Sequence, residues 1–508
     1  MAAQASIEAR FPVLDWRVGA IPIWPLVRVR WMFAEWSRLY ADPGSKAAWL
    51  SGLTRTKNLF TGPLAAWRAA HADRVPDPAA TLSRTAGHDI VLLSDGVSFS
   101  KLGEHWFERF CDPLIASARM RGLACALWTP GHNRRLPRAT PSRFIQPAID
   151  RANVRGALAA RLNSPDLHLP ELQDVRAFLA SAGFESSSLH PAQIASDGKR
   201  LRALADLFGA MLRVEHPRLA CIVGYYGIEG MAFVLAAHEC NVPVVDLQHG
   251  VQGDMHPAYA AWPRPPSGLH VLLPSHFWVW SNWERDVIER WSRGTGHQAI
   301  VGGNPWMDLW MDGSAWPGVE DARTRAQVLK RVAGNRPVVL VTLQFGLSMA
   351  EQLAPLAQLV ASAADRLAFW VRLHPVMLER RGEVSATLAA RGATADMFVL
   401  DEPSDLPLQA LLQQASVHLT HSSSAIIEAA QFGVRSVVTS KYGEELFAPL
   451  YEAGWAVTET GEADALANTL LRLSARSAAV TRPATTLTHT LDALLDGFAQ
   501  QSNRRKHV

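Results

Sequence analysis

The sequence predicts an α/β protein: two successive doubly wound parallel sheets with a cleft between them and a helical segment in front. Three observations carry this. Short, continuously apolar runs recur along the chain, separated by stretches of helical length, as in strands buried on both faces. The pattern is interrupted at 312–336, where Gly, Asp and Arg gather between Pro317 and Pro337, and then resumes. Finally, 508 residues at 48% hydrophobic content supply enough apolar material for two or three cores.

Taken in order, residues 1–85 read as a helical N-terminal extension, in which Pro22 and Pro25 break any long helix. Trp16, Trp24, Trp31, Trp36, Trp49 and Trp67 are interleaved there with Arg17, Arg28, Arg30, Arg38, Arg55 and Lys57. Two readings stay open: a surface that rests on an anionic membrane, or an extension that packs its indoles on the main body. Residues 86–311 form the first series, with strands expected at 88–93, 123–128, 219–223, 243–247, 277–280 and 299–301 and helices across 150–215. Residues 312–336 read as an interdomain linker. The second series occupies 337–475, with strands at 338–342, 367–371, 397–400, 417–419 and 436–439. Residues 476–508 read as a C-terminal helix and basic tail, and the last helical stretch, about 462–500, as capping the second domain or crossing back onto the first. The tail residues Arg504 to His507 suit weak attraction to an anionic surface or a disordered end.

Composition sets limits. A net charge of +3 is too small for a general nucleic-acid binder. The four cysteines, Cys111, Cys125, Cys221 and Cys240, lack C-x-x-C spacing, which suits a reducing cytoplasm and argues against a disulfide scaffold or a zinc site. An apolar leader and any apolar run of about 18 residues are missing, so a cytoplasmic location is expected.

Open α/β sheets bind ligands at the carboxyl ends of their strands, and two such domains direct those ends into a shared cleft. Arg372-Leu373-His374-Pro375 follows one expected strand, and His421-Ser422-Ser423-Ser424 follows another and opens a helix at Ala425. A His with hydroxyls and backbone N–H groups at a helix start is equipment for a nucleotide phosphate; a loop breaker and an N-cap explain the same residues. Gln344, in Gln344-Phe345-Gly346-Leu347-Ser348, opens a polar glycine loop suited to phosphate, and Glu428 suits ribose hydroxyls or a solvent-facing helix position. In the first series, Asp246-Leu247-Gln248-His249-Gly250 ends a strand. Gly250 permits a sharp exit turn, and the unperturbed His pKa near ~6.5 suits a general base. Gln248 and Gly250 are placed beside the cleft, as is Asn304 in Gly302-Gly303-Asn304-Pro305. Asp95, in Ser94-Asp95-Gly96, and Glu229, in Tyr225-Tyr226-Gly227-Ile228-Glu229-Gly230, are further base candidates that also fit a turn and a helix cap. No spacing of metal ligands is present, and neither is a G-x-x-x-x-G-K-[ST] loop.

Over roughly residues 215–440, the order of these motifs resembles the GT-B glycosyltransferases of bacterial surface polysaccharides. The style is that of the capsule Kdo transferases, the bacterial sialyl- and polysialyltransferases and the CDP-glycerol glycerophosphotransferases. The resemblance implies that His374-Pro375 and Ser422 to Ser424 hold a cytidine nucleotide, and that the His of His249-Gly250 is the base. Gly303-Asn304-Pro305-Trp306-Met307-Asp308 is similar to a Gly-x-Pro-x-x-Asp segment of those enzymes. One departure stands out: where many sialyltransferases carry acidic-acidic-Gly, this chain has Ser94-Asp95-Gly96. The implied activity is inverting, metal-independent and free of cofactors. It transfers Kdo or another nonulosonic acid from a CMP-sugar to a bacterial surface glycan or lipid-linked acceptor, with peripheral contact to the inner membrane face and no nucleic-acid partner. UDP-N-acetylglucosamine 2-epimerases, which share the architecture and a similar Gly-Asn turn, are the alternative, together with a UDP- or dTDP-hexosyltransferase and a non-catalytic assembly partner.

Overall fold

The computed structural model describes residues 2–40, 87–131, 133–162, 166–264, 270–311, 316, 318–344, 347, 349–475 and 490–494. Trp49, Arg55, Lys57, Trp67, Phe345, Gly346, Ser348 and the 504–507 tail lie outside them.

The first sheet holds seven parallel strands: β3 (Ile90–Leu93), β6 (Cys125–Thr129), β7 (Arg143–Phe144), β9 (Leu219–Val223), β10 (Val244–Leu247), β11 (His276–Val279) and β12 (Gln298–Val301). They lie in the order β12-β11-β10-β9-β3-β6-β7. The second sheet holds six: β13 (Val338–Thr342), β14 (Ala368–Arg372), β15 (Phe398–Val399), β16 (Val417–Thr420), β17 (Ser436–Val438) and β18 (Ala456–Thr458), in the order β15-β14-β13-β16-β17-β18. Each sheet grows outward in both directions from its first strand, so each has one topological switch point: between β3 and β9, and between β13 and β16. The central strands β3, β9, β10, β13 and β16 are buried at every position, because helices cover both faces. Three short strands, β1 (Arg17–Val18), β2 (Ile21–Pro22) and β8 (Leu167–His168), form a small antiparallel patch beside the first sheet.

The first 40 residues are built into the first domain. Trp16, Trp24 and Trp31 are buried in one core with Val91, Phe208 and Phe233. Their indole N–H groups donate to the Pro170 carbonyl at 2.9 Å, Glu8 Oε1 at 3.0 Å and the Glu185 carbonyl at 3.1 Å. Arg28 is buried, pairs with Glu8 at 3.0 Å and lies 3.7 Å over the Trp262 ring; Arg30 pairs with Asp197. Of the two readings of this region, packing on the main body accounts for these residues, and a separate extension presenting them to a membrane does not. Among the described residues no helix is long and apolar enough to cross a membrane.

Several other elements were not expected, the edge strands β7 and β18 among them. Within the 312–336 connection, for which the sequence assigns no helix, Val319–Ala333 forms one. Ala322, Ala326 and Leu329 bury its inner face with Leu340, Trp370 and Leu411 of the second domain. Nor did apolar runs reveal the antiparallel hairpin of β4 (Phe99–Leu102) and β5 (His105–Glu108). Its Leu102 and Phe107 pack against Trp306 and Trp310 in a cluster continuous with Leu340 and Trp370, so the hairpin leans from the first domain onto the second. At the chain end, the helix Ala463–Ser474 packs on Met349–Ala363. Residues 490–494 then return to the first domain: Leu491 and Leu494 are buried with Ile90 and Leu114, and Asp492 pairs with Arg121 at 2.5 Å.

Candidate active site

The two sheets direct their switch points toward a cavity of about 1580 Å³. Its first-domain wall includes Tyr226, His249, Gly250 and, from the helix Trp24–Tyr40, Phe33; its second-domain wall includes Gln344, Ser422, Ser424 and Lys441.

The first wall is built on Asp246. This buried carboxylate stands one residue before the end of β10 and accepts hydrogen bonds from the N–H groups of Gly224 at 3.1 Å and Tyr225 at 3.0 Å, and from Tyr259 Oη at 2.8 Å. It clamps the turn after β9 to the exit of β10. Burial pushes its pKa up to about 7 against the pull of those three donors. Gly224 adopts φ +74°, and a Cβ there would come within 3.0 Å of His249 Cε1, so the turn seats the imidazole closely. The Tyr226 ring stacks on His249 with centroids 5.7 Å apart, and its Oη lies 3.0 Å from Nε2. Phe110 meets the same ring edge-on at 6.4 Å. Burial lowers the His249 pKa. Asp95 and the Leu247 carbonyl oppose that, Arg109 reinforces it, and the neutral form, the one a general base needs, is favoured. His256, packed 5.2 Å from the Tyr226 ring, is held down at about 3 by burial and the neighbouring His249.

The remaining first-domain candidates lie elsewhere or are committed. Gln248 is buried: its Nε2 donates to the Gly250 carbonyl at 2.8 Å and Glu284 Oε1 at 3.1 Å, and its Oε1 accepts the Trp280 N–H at 2.7 Å. It braces the strand exits instead of facing the cleft. Asn304 is also buried and starts the helix Pro305–Met311, its Oδ1 accepting the Trp306 N–H at 3.2 Å. The Asp95 carboxylate is used by its own loop, accepting the N–H groups of Val97 and Ser98 at 2.8 Å and Ser98 Oγ at 2.5 Å. Glu229 sits in the first turn of Ile228–Glu239, where its charge acts on Arg200, away from the cavity lining.

On the second wall, the ends of β13 and β16 meet. Gln344 Oε1 accepts Ser422 N–H at 2.7 Å and Ser422 Oγ at 3.0 Å. Gln352 fixes Gln344 in turn, with bonds of 2.6 and 2.7 Å to its backbone. Ser423 turns inward, its Oγ accepting Ala425 N–H at 3.3 Å and its N–H donating to Thr420 Oγ1 at 3.2 Å. Ser424 is exposed in the cavity. The exit of β17 is tied to this turn by Thr439 N–H to the Thr420 carbonyl at 3.0 Å and Ser440 N–H to the His421 carbonyl at 3.2 Å, which carries Lys441 to the wall.

Arg372, His374, Pro375 and Glu428 form a separate group outside the cavity lining. His374 caps the 3-10 turn Pro375–Arg380, its Nδ1 accepting Val376 N–H at 3.4 Å. Partial burial, with the Arg109 and Arg372 cations, holds its pKa down at about 4. Arg372 donates to the carbonyls of Pro403 at 2.5 Å and of Leu406, and burial lowers its pKa to about 10. Glu428 is held by Gln409 Nε2 at 2.9 Å, and burial raises its pKa against the pull of Arg109 and Arg372. Sequence reasoning missed Tyr226, His256 and Lys441. For Tyr226 a signal existed, since it stands in the strand-to-helix crossing singled out for Glu229. Among the described residues no set of three His, Cys, Asp or Glu side chains gathers as a metal site.

No family model and no curated protein matches the chain. Similar solved structures include UDP-GlcNAc 2-epimerases. That from Methanocaldococcus jannaschii is 11% identical, with 81% of this chain and 99% of that one covered and a TM-score of 0.46. That from Neisseria meningitidis, bound to UDP-GlcNAc, is 13% identical over 81% and 99%, with a TM-score of 0.47. The wall teichoic acid polymerase TagF is 8% identical over 89% and 99%, with a TM-score of 0.44. The architecture stands on the strand order itself: two doubly wound domains facing one cleft, the GT-B fold.

Proposed function

We propose that this chain is a nucleotide-sugar-dependent glycosyltransferase that works without a metal. The observation that carries the reading is the pairing, across one cavity, of a seated, neutral-favouring imidazole, His249, with a hydroxyl-rich turn, Ser422 to Ser424. In this mechanism His249 Nε2 takes the proton of an acceptor hydroxyl as that oxygen bonds to the anomeric carbon and the nucleotide leaves with the electron pair of the broken C–O bond. Ser424 and Lys441 stabilise the departing phosphate, on a turn that Gln344 holds through Ser422. Tyr226 Oη, 3.0 Å from Nε2, occupies the position an acceptor hydroxyl needs. The acceptor therefore displaces the phenol or passes its proton through it. Attack opposite the leaving group inverts the anomeric centre.

The finer assignment is a CMP-linked Kdo or related nonulosonic acid, passed to a bacterial surface glycan or lipid-linked acceptor on the cytoplasmic side. It is supported by the resemblance of the serine turn, Ser422 to Ser424; His374 and Pro375, the other half of that resemblance, lie outside the cavity lining. The epimerase alternative needs carboxylates around the sugar. Asp95 is committed to its loop, Asp246 to its clamp, and Glu229 lies off the cavity. Of the carboxylates that do line it, Glu35 is bonded to Arg38 and the Glu185 N–H, Glu351, Glu445, Glu459 and Glu462 belong to the second domain, and none stands beside His249.

Calorimetry with CMP, CDP, UDP, GDP and dTDP, with and without EDTA, tests the reading. CMP binding that survives EDTA, with sugar transfer lost in His249→Asn, supports it. Preference for UDP with conversion of UDP-GlcNAc in the absence of an acceptor refutes it in favour of an epimerase.

A further inference from the structure

His421 follows β16 directly and lines the cavity on its second-domain wall. A chain of hydrogen bonds settles which of its ring nitrogens carries the proton. The Ser422 N–H donates to Gln344 Oε1 at 2.7 Å; a backbone N–H can only donate, so the amide oxygen is the atom in that place. Ser422 Oγ lies 3.0 Å from the same oxygen and therefore gives it its single proton. Gln352 holds the backbone N–H and carbonyl of Gln344 at 2.6 and 2.7 Å, which keeps this arrangement in place.

His421 Nδ1 lies 3.0 Å from Ser422 Oγ. With its proton directed to Gln344, that hydroxyl has only lone pairs to offer, so Nδ1 carries a hydrogen and donates it. In the neutral ring Nε2 is then an acceptor. Among the described residues no protein group bonds to Nε2. The backbone is held as well, because the His421 carbonyl accepts the Ser440 N–H at 3.2 Å. Partial burial lowers the His421 pKa against the pull of Glu351, which favours the neutral ring.

We infer that His421 binds the nucleotide sugar through Nε2, which accepts a hydrogen bond from one of its sugar hydroxyls, beside the phosphate held by Ser424 and Lys441. The phosphate of a nucleotide sugar is fully ionised near neutrality and has no hydrogen to give, whereas a hydroxyl has one. The hydroxyl belongs either to the ribose or to the sugar that the nucleotide carries. The contact rests on the nucleotide-sugar reading of the cavity; it does not require that the reaction be a transfer.

Calorimetry with CMP, UMP, their 2′,3′-dideoxy counterparts, UDP-GlcNAc and a CMP-linked sialic acid tests this on wild type, His421→Asn and His421→Gln. The Asn amide reaches the position of Nδ1, keeps the bond to Ser422 and leaves nothing at the position of Nε2; the longer Gln amide restores an acceptor there. Loss of one hydrogen bond predicts that His421→Asn binds about fivefold more weakly and that His421→Gln recovers most of that loss. A loss with CMP or UMP that is absent with the dideoxy form assigns the ribose. A loss confined to UDP-GlcNAc or the CMP-linked acid assigns the carried sugar. Wild-type affinity of His421→Asn for every probe, equal losses in the two variants, equal losses for the ribose and dideoxy forms, or a wild type that binds none of the probes overturns the inference. Binding of UDP-GlcNAc that depends on His421, with conversion of that sugar in the absence of an acceptor, upholds the contact and sinks the transferase reading.

Discussion

Replacing Tyr259 with Phe removes a single oxygen from behind His249 and isolates the clamp on which that wall is built. The ring keeps its edge contacts with Tyr225 and Phe277, at 5.7 and 6.0 Å. What disappears is the 2.8 Å bond to Asp246 Oδ2, one of three that the carboxylate accepts. Burial places the Asp246 pKa at about 7, so near neutrality this group passes between acid and carboxylate. A hydrogen bond contributes about 0.5–1.5 kcal/mol to a neutral acceptor and about 1.5–3 kcal/mol to a charged one. The substitution should therefore cost roughly 1 kcal/mol at pH 6 and roughly 2 kcal/mol at pH 8.5. Wild type has its own slope. The folded carboxyl titrates above its unfolded value of about 3.9, so the native state keeps a proton that the unfolded chain has lost. Stability accordingly falls as pH rises from about 4 to about 7 and is level above that. The Tyr259 bond is the largest influence lowering this pKa, so the fall continues to higher pH in the variant. Urea unfolding followed by tryptophan fluorescence at the two pH values measures the difference. Equal losses at both, or no loss, would refute the clamp.

Three further outcomes follow from the site. His249→Asn should lower kcat by about 10²–10⁴ while nucleotide affinity stays near wild type, as steady-state kinetics and calorimetry would show. Gln344→Ala releases both Ser422 contacts and should raise the nucleotide Kd about tenfold; an unchanged Kd would place the nucleotide elsewhere. Gly224→Ala puts a Cβ within 3.0 Å of His249 Cε1 at φ +74°. Strain of about 1–2 kcal/mol should lower Tm, and the displaced imidazole should lower kcat.

The sheets were legible because their strands are buried on both faces, which leaves a mark in the local sequence. Leu219–Val223 and Val338–Thr342 coincide with the expected runs, and the other expected strands are off by a residue or two. The hairpin left no such mark. Phe99–Leu102 and His105–Glu108 mix polar and apolar residues, and their apolar side acquires meaning only against Trp306 and Trp310, far along the chain. The same division runs through the site. A His before a Gly at a strand end, and serines at a helix start, are local patterns, and the fold brings His249, Ser422 and Ser424 to one cavity. Asp95 and Gln248 stand where expected, but Asp95 bonds to its own loop and Gln248 to Trp280 and Glu284 across the strand exits, and one-dimensional spacing does not encode such partners.

The return of residues 490–494 to the first domain bears on motion. The chain leaves that domain after β12 and is anchored in it again by Leu491, Leu494 and the Arg121–Asp492 pair. The second domain is thus joined to the first at both of its chain ends instead of hanging on one thread. A single thread permits swivelling in any direction, whereas two separated attachments define an axis and leave bending about it as the easy movement. An opening stroke of this kind would part the Gln344–Ser422 wall from His249 along one arc, and each closure would restore the same register between them.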